Sequence, residues 1–142
     1  MIPLKEMQKV GIFKPLSNKM MEELAAIGDI TTADEGVYLF HDGEPAENFY
    51  IIKEGKVILD FEQPDGSVDT ETVGPGMGVG CSSLAGLPRY NAHGRCAEPS
   101  RFLQWRQSKL QRLFDENHRL GYLLIRASAK RLSRRISGKL HK

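Results

Sequence analysis

The chain has 142 residues, 40% of them hydrophobic, with 20 Lys or Arg against 18 Asp or Glu. That length buries a core without disulfide or metal staples, and no apolar run approaches the roughly 20 residues of a bilayer-spanning helix, so a single cytoplasmic domain over 1–142 is expected. The charge is uneven: residues 126–142 hold seven bases and no acid, whereas residues 1–125 hold 13 bases and 18 acids. Such a tail reads first as a solvated helix face, and otherwise as a contact for nucleic acid, anionic lipid or an acidic partner.

In chain order, Leu4, Met7, Val10 and Phe13 recur at a spacing near three and predict a short helix. Met20, Leu24, Ala25 and Ile27 predict a second, with Ser17 as its cap, acids at Glu22 and Glu23, and Gly28 as its stop. From Ile30 the period falls to two. Tyr38 to Phe40, Phe49 to Ile52, Lys56 to Phe61 and Val68 to Val73 read as strands. The turns between and after them are His41-Asp42-Gly43-Glu44, Glu54-Gly55, Pro64-Asp65-Gly66 and Gly74-Pro75-Gly76. Arg95 to Ala97 and Arg101 to Trp105 add further strands, and the regular glycine punctuation predicts a β-barrel or sandwich. Ser108 followed by Gln111 has the form of a capping box, with Leu110, Leu113 and Phe114 on one face. Asn117 then opens a last helix carrying Leu120, Leu123, Leu124, Ala127, Leu132 and Ile136. Cys81 and Cys96 read as free buried thiols, and His41, His93 and His118 as isolated polar residues without metal-ligand spacing.

Three stretches, in this order and spacing, resemble the cyclic nucleotide-binding domain family, which includes the sensor domains of Crp/Fnr regulators. They are Phe40-His41-Asp42-Gly43-Glu44-Pro45-Ala46, the corner from Phe49 to Val57 through Gly55, and Gly74-Pro75-Gly76 leading into Val79-Gly80. The resemblance covers about residues 4–137. It implies a mainly β fold with flanking α-helices: a double-stranded β-helix, or jelly-roll-like barrel, with N-terminal helices over about 4–28. The roll would then run over about 30–106 and the C-terminal helices, the last of them long, over about 108–138. Gly43, Gly55 and Gly76 are expected to serve the scaffold at sharp turns.

In that family a Gly-Glu-Leu/Ile-Ala segment opens a short helix and an Arg-Ser/Thr-Ala segment follows. The glutamate accepts from the ribose hydroxyl and the arginine pairs with the cyclic phosphate. Here Gly80 matches, but Cys81 stands in the glutamate's place, Asn91 precedes Ala92 where Ser or Thr is usual, and Tyr90 replaces the arginine. Arg89 is adjacent, and a one-residue insertion in the loop would bring it into register. Losing a buried phosphate–arginine pair costs about 2–5 kcal/mol, so tight binding of cAMP or cGMP requires Arg89 to compensate. The Ser82 and Ser83 hydroxyls, the amides from Cys81 to Ala85, and Tyr90 and Asn91 as donors still suit a small anion. The expected ligand-binding set is therefore Gly80, Cys81, Ser82, Ser83, Arg89, Tyr90, Asn91 and Ala92. Two plainer readings stand beside it: Ser82 merely caps the helix with Arg89 solvated, or Cys81 is a reactive thiol at a helix start.

The resulting expectation is a non-enzymatic sensor that needs no cofactor and takes cAMP, cGMP or another small anion. The alternative is a ligand-free interaction module in which Leu120, Leu124 and Ala127 meet a homodimer mate or partner protein. No helix-turn-helix follows the long helix, so sequence-specific DNA binding is not expected, and neither is a membrane partner. No nucleophile motif, Walker loop or paired carboxylates point to an enzyme.

Overall fold

A computed structural model describes residues 1–140, with side chains through Arg134; Ile136 and the last bases of the tail lie outside the described side chains. Five helices, α1 (Leu4–Met7), α2 (Asn18–Ala26), α3 (Cys81–Leu84), α4 (Gln107–Glu116) and α5 (His118–Leu140), flank eight strands. The strands are β1 (Gly28–Ala33), β2 (Tyr38–Phe40), β3 (Asn48–Glu54), β4 (Val57–Glu62), β5 (Val68–Val73), β6 (Gly78–Val79), β7 (His93–Cys96) and β8 (Ser100–Arg106). They form two four-stranded antiparallel sheets ordered β1-β8-β3-β6 and β2-β7-β4-β5. This is the jelly-roll that the resemblance implies, with helices before and after it.

The two sheets and the helices enclose two apolar cores. One lies between the helices and the β1-β8-β3-β6 sheet and holds Ile2, Met7, Phe13, Leu24, Phe49, Trp105, Leu110, Leu120 and Leu124. Trp105 anchors it: its indole Nε1 donates to the Leu24 carbonyl at 2.8 Å, and Phe13 meets its ring edge-on at 5.8 Å. The other core fills the roll and includes Phe40, Tyr50, Ile52, Val57, Leu59, Val79, Tyr90 and Phe102.

Several local expectations are corrected. The first helix ends at Met7, because Lys9 takes a left-handed φ of 68°, and Gly11–Phe13 continues as a separate 3-10 turn. A Cβ on Gly11 would lie 1.6 Å from the Arg131 guanidinium, so α5 packs directly on that turn. Gly28 is not a left-handed stop; it opens β1, and the missing side chain makes room for Trp105 and Ile2, which a Cβ would approach within 2.6 and 2.4 Å. Ser17 does cap α2, accepting from the Met20 amide at 3.2 Å, and Asn117 accepts from the Leu120 amide at 3.1 Å at the start of α5. Ser108 forms no capping box, since α4 begins at Gln107, and Gln111 instead reaches the Leu84 carbonyl at 3.1 Å.

Candidate functional site

A cavity of about 250 Å³ lies between the roll and α5. Its walls are Phe40 from β2, Leu59 and Phe61 from β4 and Val79 from β6, with Cys81, Ser82 and Ala85 around α3, Leu87, Tyr90 and Asn91 from the following loop, and Leu132 of α5 across the opening. The strand walls follow from the alternation that puts Leu59 and Phe61 on the inner face of β4. Of the expected site residues, Gly80, Cys81, Ser82, Tyr90, Asn91 and Ala92 line this cavity. Ser83 and Arg89 do not.

Gly80 starts α3 with φ of 75°, a conformation that disfavours a side chain. A Cβ there would also lie 2.8 Å from the Asn48 carbonyl and 3.3 Å from the Tyr90 ring, so the site needs glycine twice over. Ser82 is the second residue of α3, and no side chain caps the helix, so it is not the cap. The amides of Ser83 and Ala85 are committed to the Gly80 and Cys81 carbonyls at 3.0 Å each, which removes two of the donors expected for an anion. Ser83 is fully buried, and its hydroxyl finds no partner among the described residues. Cys81, half-buried, and Cys96, buried, are not joined in a disulfide; the Cys81 sulfur lies 3.9 Å from the Gly78 carbonyl, and burial pushes the Cys96 thiol pKa up.

Tyr90 decides the chemistry. It is 6% exposed and stacks on Phe40 with ring centres 4.2 Å apart. Its hydroxyl donates to the Asn48 carbonyl at 2.6 Å and accepts from the Asn48 amide at 2.8 Å. The backbone of one residue therefore satisfies both functions of the phenol, and burial raises its pKa, so it stays a neutral wall. Arg89 does not come into register. It is exposed, its strand-like bridge to Pro45 turns its side chain outward, and its Nη1 donates to the Gly43 carbonyl at 2.7 Å. No Lys or Arg lines the cavity among the described residues.

Comparison with known proteins agrees with this architecture. The family model described as the cyclic nucleotide-binding domain matches residues 30–117. The chain belongs to that family. Among solved structures, the N-terminal domain of a transcriptional regulator from Streptomyces coelicolor A3(2) is 28% identical with a TM-score of 0.71, covering 93% of this chain and 94% of that one. The sensor domain of the regulator DNR from Pseudomonas aeruginosa is 27% identical with a TM-score of 0.71, covering 94% and 90%. A protein of Geobacter metallireducens GS-15 named for cyclic nucleotide binding shares the fold at 24% identity and a TM-score of 0.85, covering 96% and 99%. No curated protein matches the chain.

Sequence reasoning missed the apolar walls contributed by Phe61, Leu87 and Leu132, which read as ordinary core or loop positions. The signal for Phe61 was its place on the inner face of β4. The expected interaction surface also needs correction: Leu120 and Leu124 are 0% and 1% exposed within this single chain, and Ala127 packs against the same core. What α5 presents outward is Tyr122 and Ile125, 60% and 38% exposed. Among the described residues no helix is long and apolar enough to cross a membrane.

Proposed function

We propose that this cyclic nucleotide-binding family domain is a non-enzymatic regulatory sensor whose cavity takes a small, uncharged, mainly apolar ligand in place of a cyclic phosphate. One observation carries the reading: the cavity is walled by Phe40, Leu59, Phe61, Val79, Tyr90 and Leu132, with no cation among its described lining. A phosphate there would be stripped of water without a countercharge, which is costly in an apolar site. Leu132 belongs to α5, so a ligand that touches it binds one position of that helix better than another. That differential contact is what allows occupancy to be passed on.

The test pairs two titrations of the purified chain. Nile red, a neutral apolar dye, is expected to brighten saturably, and Leu132→Trp, which fills the cavity, to abolish that response. Calorimetry with cAMP and cGMP is expected to show no saturable heat at millimolar ligand. Micromolar cAMP binding lost in Arg89→Ala would overturn the reading and restore the phosphate role to Arg89.

A second reading, self-association through α5, is favoured by Tyr122 and Ile125, which lie three residues apart on one outward face. Concentration-dependent dimerisation in sedimentation, abolished by Ile125→Glu, is its expected signature; a monomer at every concentration would exclude it.

A further inference from the structure

Three adjacent strands of the β2-β7-β4-β5 sheet bring two imidazoles and two carboxylates to one end of it. His93 opens β7, which pairs with β2 on one side and β4 on the other. His41 and Asp42 follow β2 directly, and Glu62 is the last residue of β4. Far from being isolated, His41 and His93 meet with their Nδ1 atoms 3.3 Å apart, and His41 also stacks on Tyr38 with ring centres 4.5 Å apart. His93 Nε2 lies 2.8 Å from Glu62 Oε1. One donor atom from each of Asp42, Glu62 and His93 falls within 4.8 Å of the others.

The hydrogen bonds define the proton arrangement. The Asp42 amide can only donate, and it points at His93 Nδ1 at 3.2 Å, so that nitrogen is the acceptor. His93 is therefore neutral in this arrangement, with its proton on Nε2 and donated to Glu62, and His41 donates to the same Nδ1.

We propose that this cluster binds a divalent transition-metal ion of the zinc, nickel or copper type through His93 Nε2 and the carboxylates of Asp42 and Glu62. His93 Nε2 and Glu62 Oε1 are 2.8 Å apart, whereas tetrahedral metal bonds of about 2.0–2.1 Å place donor atoms about 3.3 Å apart, so the two side chains separate by about half an ångström when the ion replaces the shared proton. The ion takes the place of the Nε2 proton, and the imidazole stays neutral with its proton on Nδ1. That proton is then donated to His41 Nδ1, which becomes the acceptor and orients His93, as the partner of a metal-bound imidazole does. The exposed Asp42 amide exchanges its imidazole acceptor for water. An imidazole with two carboxylates selects this class of ion over magnesium or calcium, which prefer oxygen throughout. His41 is a positioning residue here, and Asp42, Glu62 and His93 are the ligands.

The site also borders the cavity loop. Next to Asp42, the Gly43 amide donates to the Tyr90 carbonyl at 3.0 Å and the Gly43 carbonyl accepts from Arg89. An ion on Asp42 would thus be fixed one residue from the contacts that hold that loop.

Calorimetric titration of the whole chain with zinc chloride tests the proposal, using Cys81→Ser as the background so that a thiol cannot supply the heat. One saturable site is expected, with a heat that does not depend on the buffer, because each imidazole keeps one proton and none is released. His93→Gln and Glu62→Gln should each weaken binding about tenfold or more, and His41→Gln about tenfold, with circular dichroism confirming an unchanged fold. Nitrogen NMR should place the metal on Nε2 of His93. Absence of saturable heat with zinc, nickel and copper at millimolar ion overturns the site. So does wild-type affinity in both His93→Gln and Glu62→Gln.

Discussion

The two apolar cores of this molecule are built from similar residues and are used differently. The core under the helices closes around Trp105, whose ring is met by Phe13 and Phe49 and whose one polar atom is paired with Leu24. The core inside the roll is also aromatic, with Phe40 stacked on Tyr90 and Tyr50 edge-on to Phe102, yet it opens beside Phe40 and Tyr90 into a cavity of about 250 Å³. The difference teaches where stability and where recognition reside. The first region closes around its aromatic rings; the second leaves a cavity large enough for a small molecule.

Breaking the closed core should have the largest effect. Trp105→Ala removes a ring that is 1% exposed and leaves the Leu24 carbonyl with only the longer bond from the Ile27 amide at 3.3 Å, so a loss of about 3–5 kcal/mol, mostly from the hole, is expected in urea unfolding. A loss below about 1 kcal/mol would mean that this core collapses around the hole and is not the rigid half. At the open core, Gly80→Ala is expected to cost about 1–3 kcal/mol, since the left-handed backbone is strained and the Asn48 carbonyl must shift. Because Asn48 also holds the Tyr90 hydroxyl, the same substitution should weaken Nile red binding, whereas Trp105→Ala should leave the remaining folded protein's affinity near wild type.

Much of this contrast was legible in the sequence, and the illegible part has a physical cause. The strands announced themselves through alternation and through glycines such as Gly43 and Gly55, whose φ values of 85° and 98° require that residue. Six of the eight expected site residues line the cavity, but the chemistry there turned on strand phase. Neighbouring residues face opposite ways, so placing Tyr90 inward puts Arg89 outward, and composition alone does not say which of the two is chosen. The Tyr90–Asn48 bonds that settle it span 42 residues. Distance in sequence also hid the histidine cluster, because His41 and His93 are 52 residues apart and local ligand spacing gives no hint of their meeting. Leu132 looked like one more core position of a helix, and only the packing of α5 across the roll makes it a cavity wall.

A smaller effect should separate the two cores by pH. Glu6 of α1 lies against Arg101 of β8 and Lys53 of β3, and the hydrogen bond from Arg101, with the nearby cationic charge, holds its carboxyl below the usual glutamate range. A pKa lowered in the folded state contributes stability above the unfolded value of about 4.3, and that contribution is lost as pH falls through the folded value. Thermal unfolding of the wild type is therefore expected to weaken more steeply below about pH 4 than that of Glu6→Gln. Equal slopes would show that the pair, which is partly open to water, is screened out of the balance.

The smallest expected effect bears most directly on the site. Arg89 is exposed and its guanidinium is spent on the Gly43 carbonyl, so Arg89→Ala should change stability by no more than about 0.5 kcal/mol and leave Nile red binding unaltered. Tyr90→Phe, one residue on, should act in the opposite sense: it leaves the Asn48 carbonyl and amide without their partner in a half-buried place, costing about 1–3 kcal/mol, and loosens the cavity wall. The pair of substitutions thus asks which of two adjacent residues the cavity depends on. If Arg89→Ala proved the more damaging to ligand binding, the guanidinium would have to leave Gly43 and turn inward when ligand arrives. The outward geometry of Arg89 would then be one of two states, and the cavity would be an anion site after all.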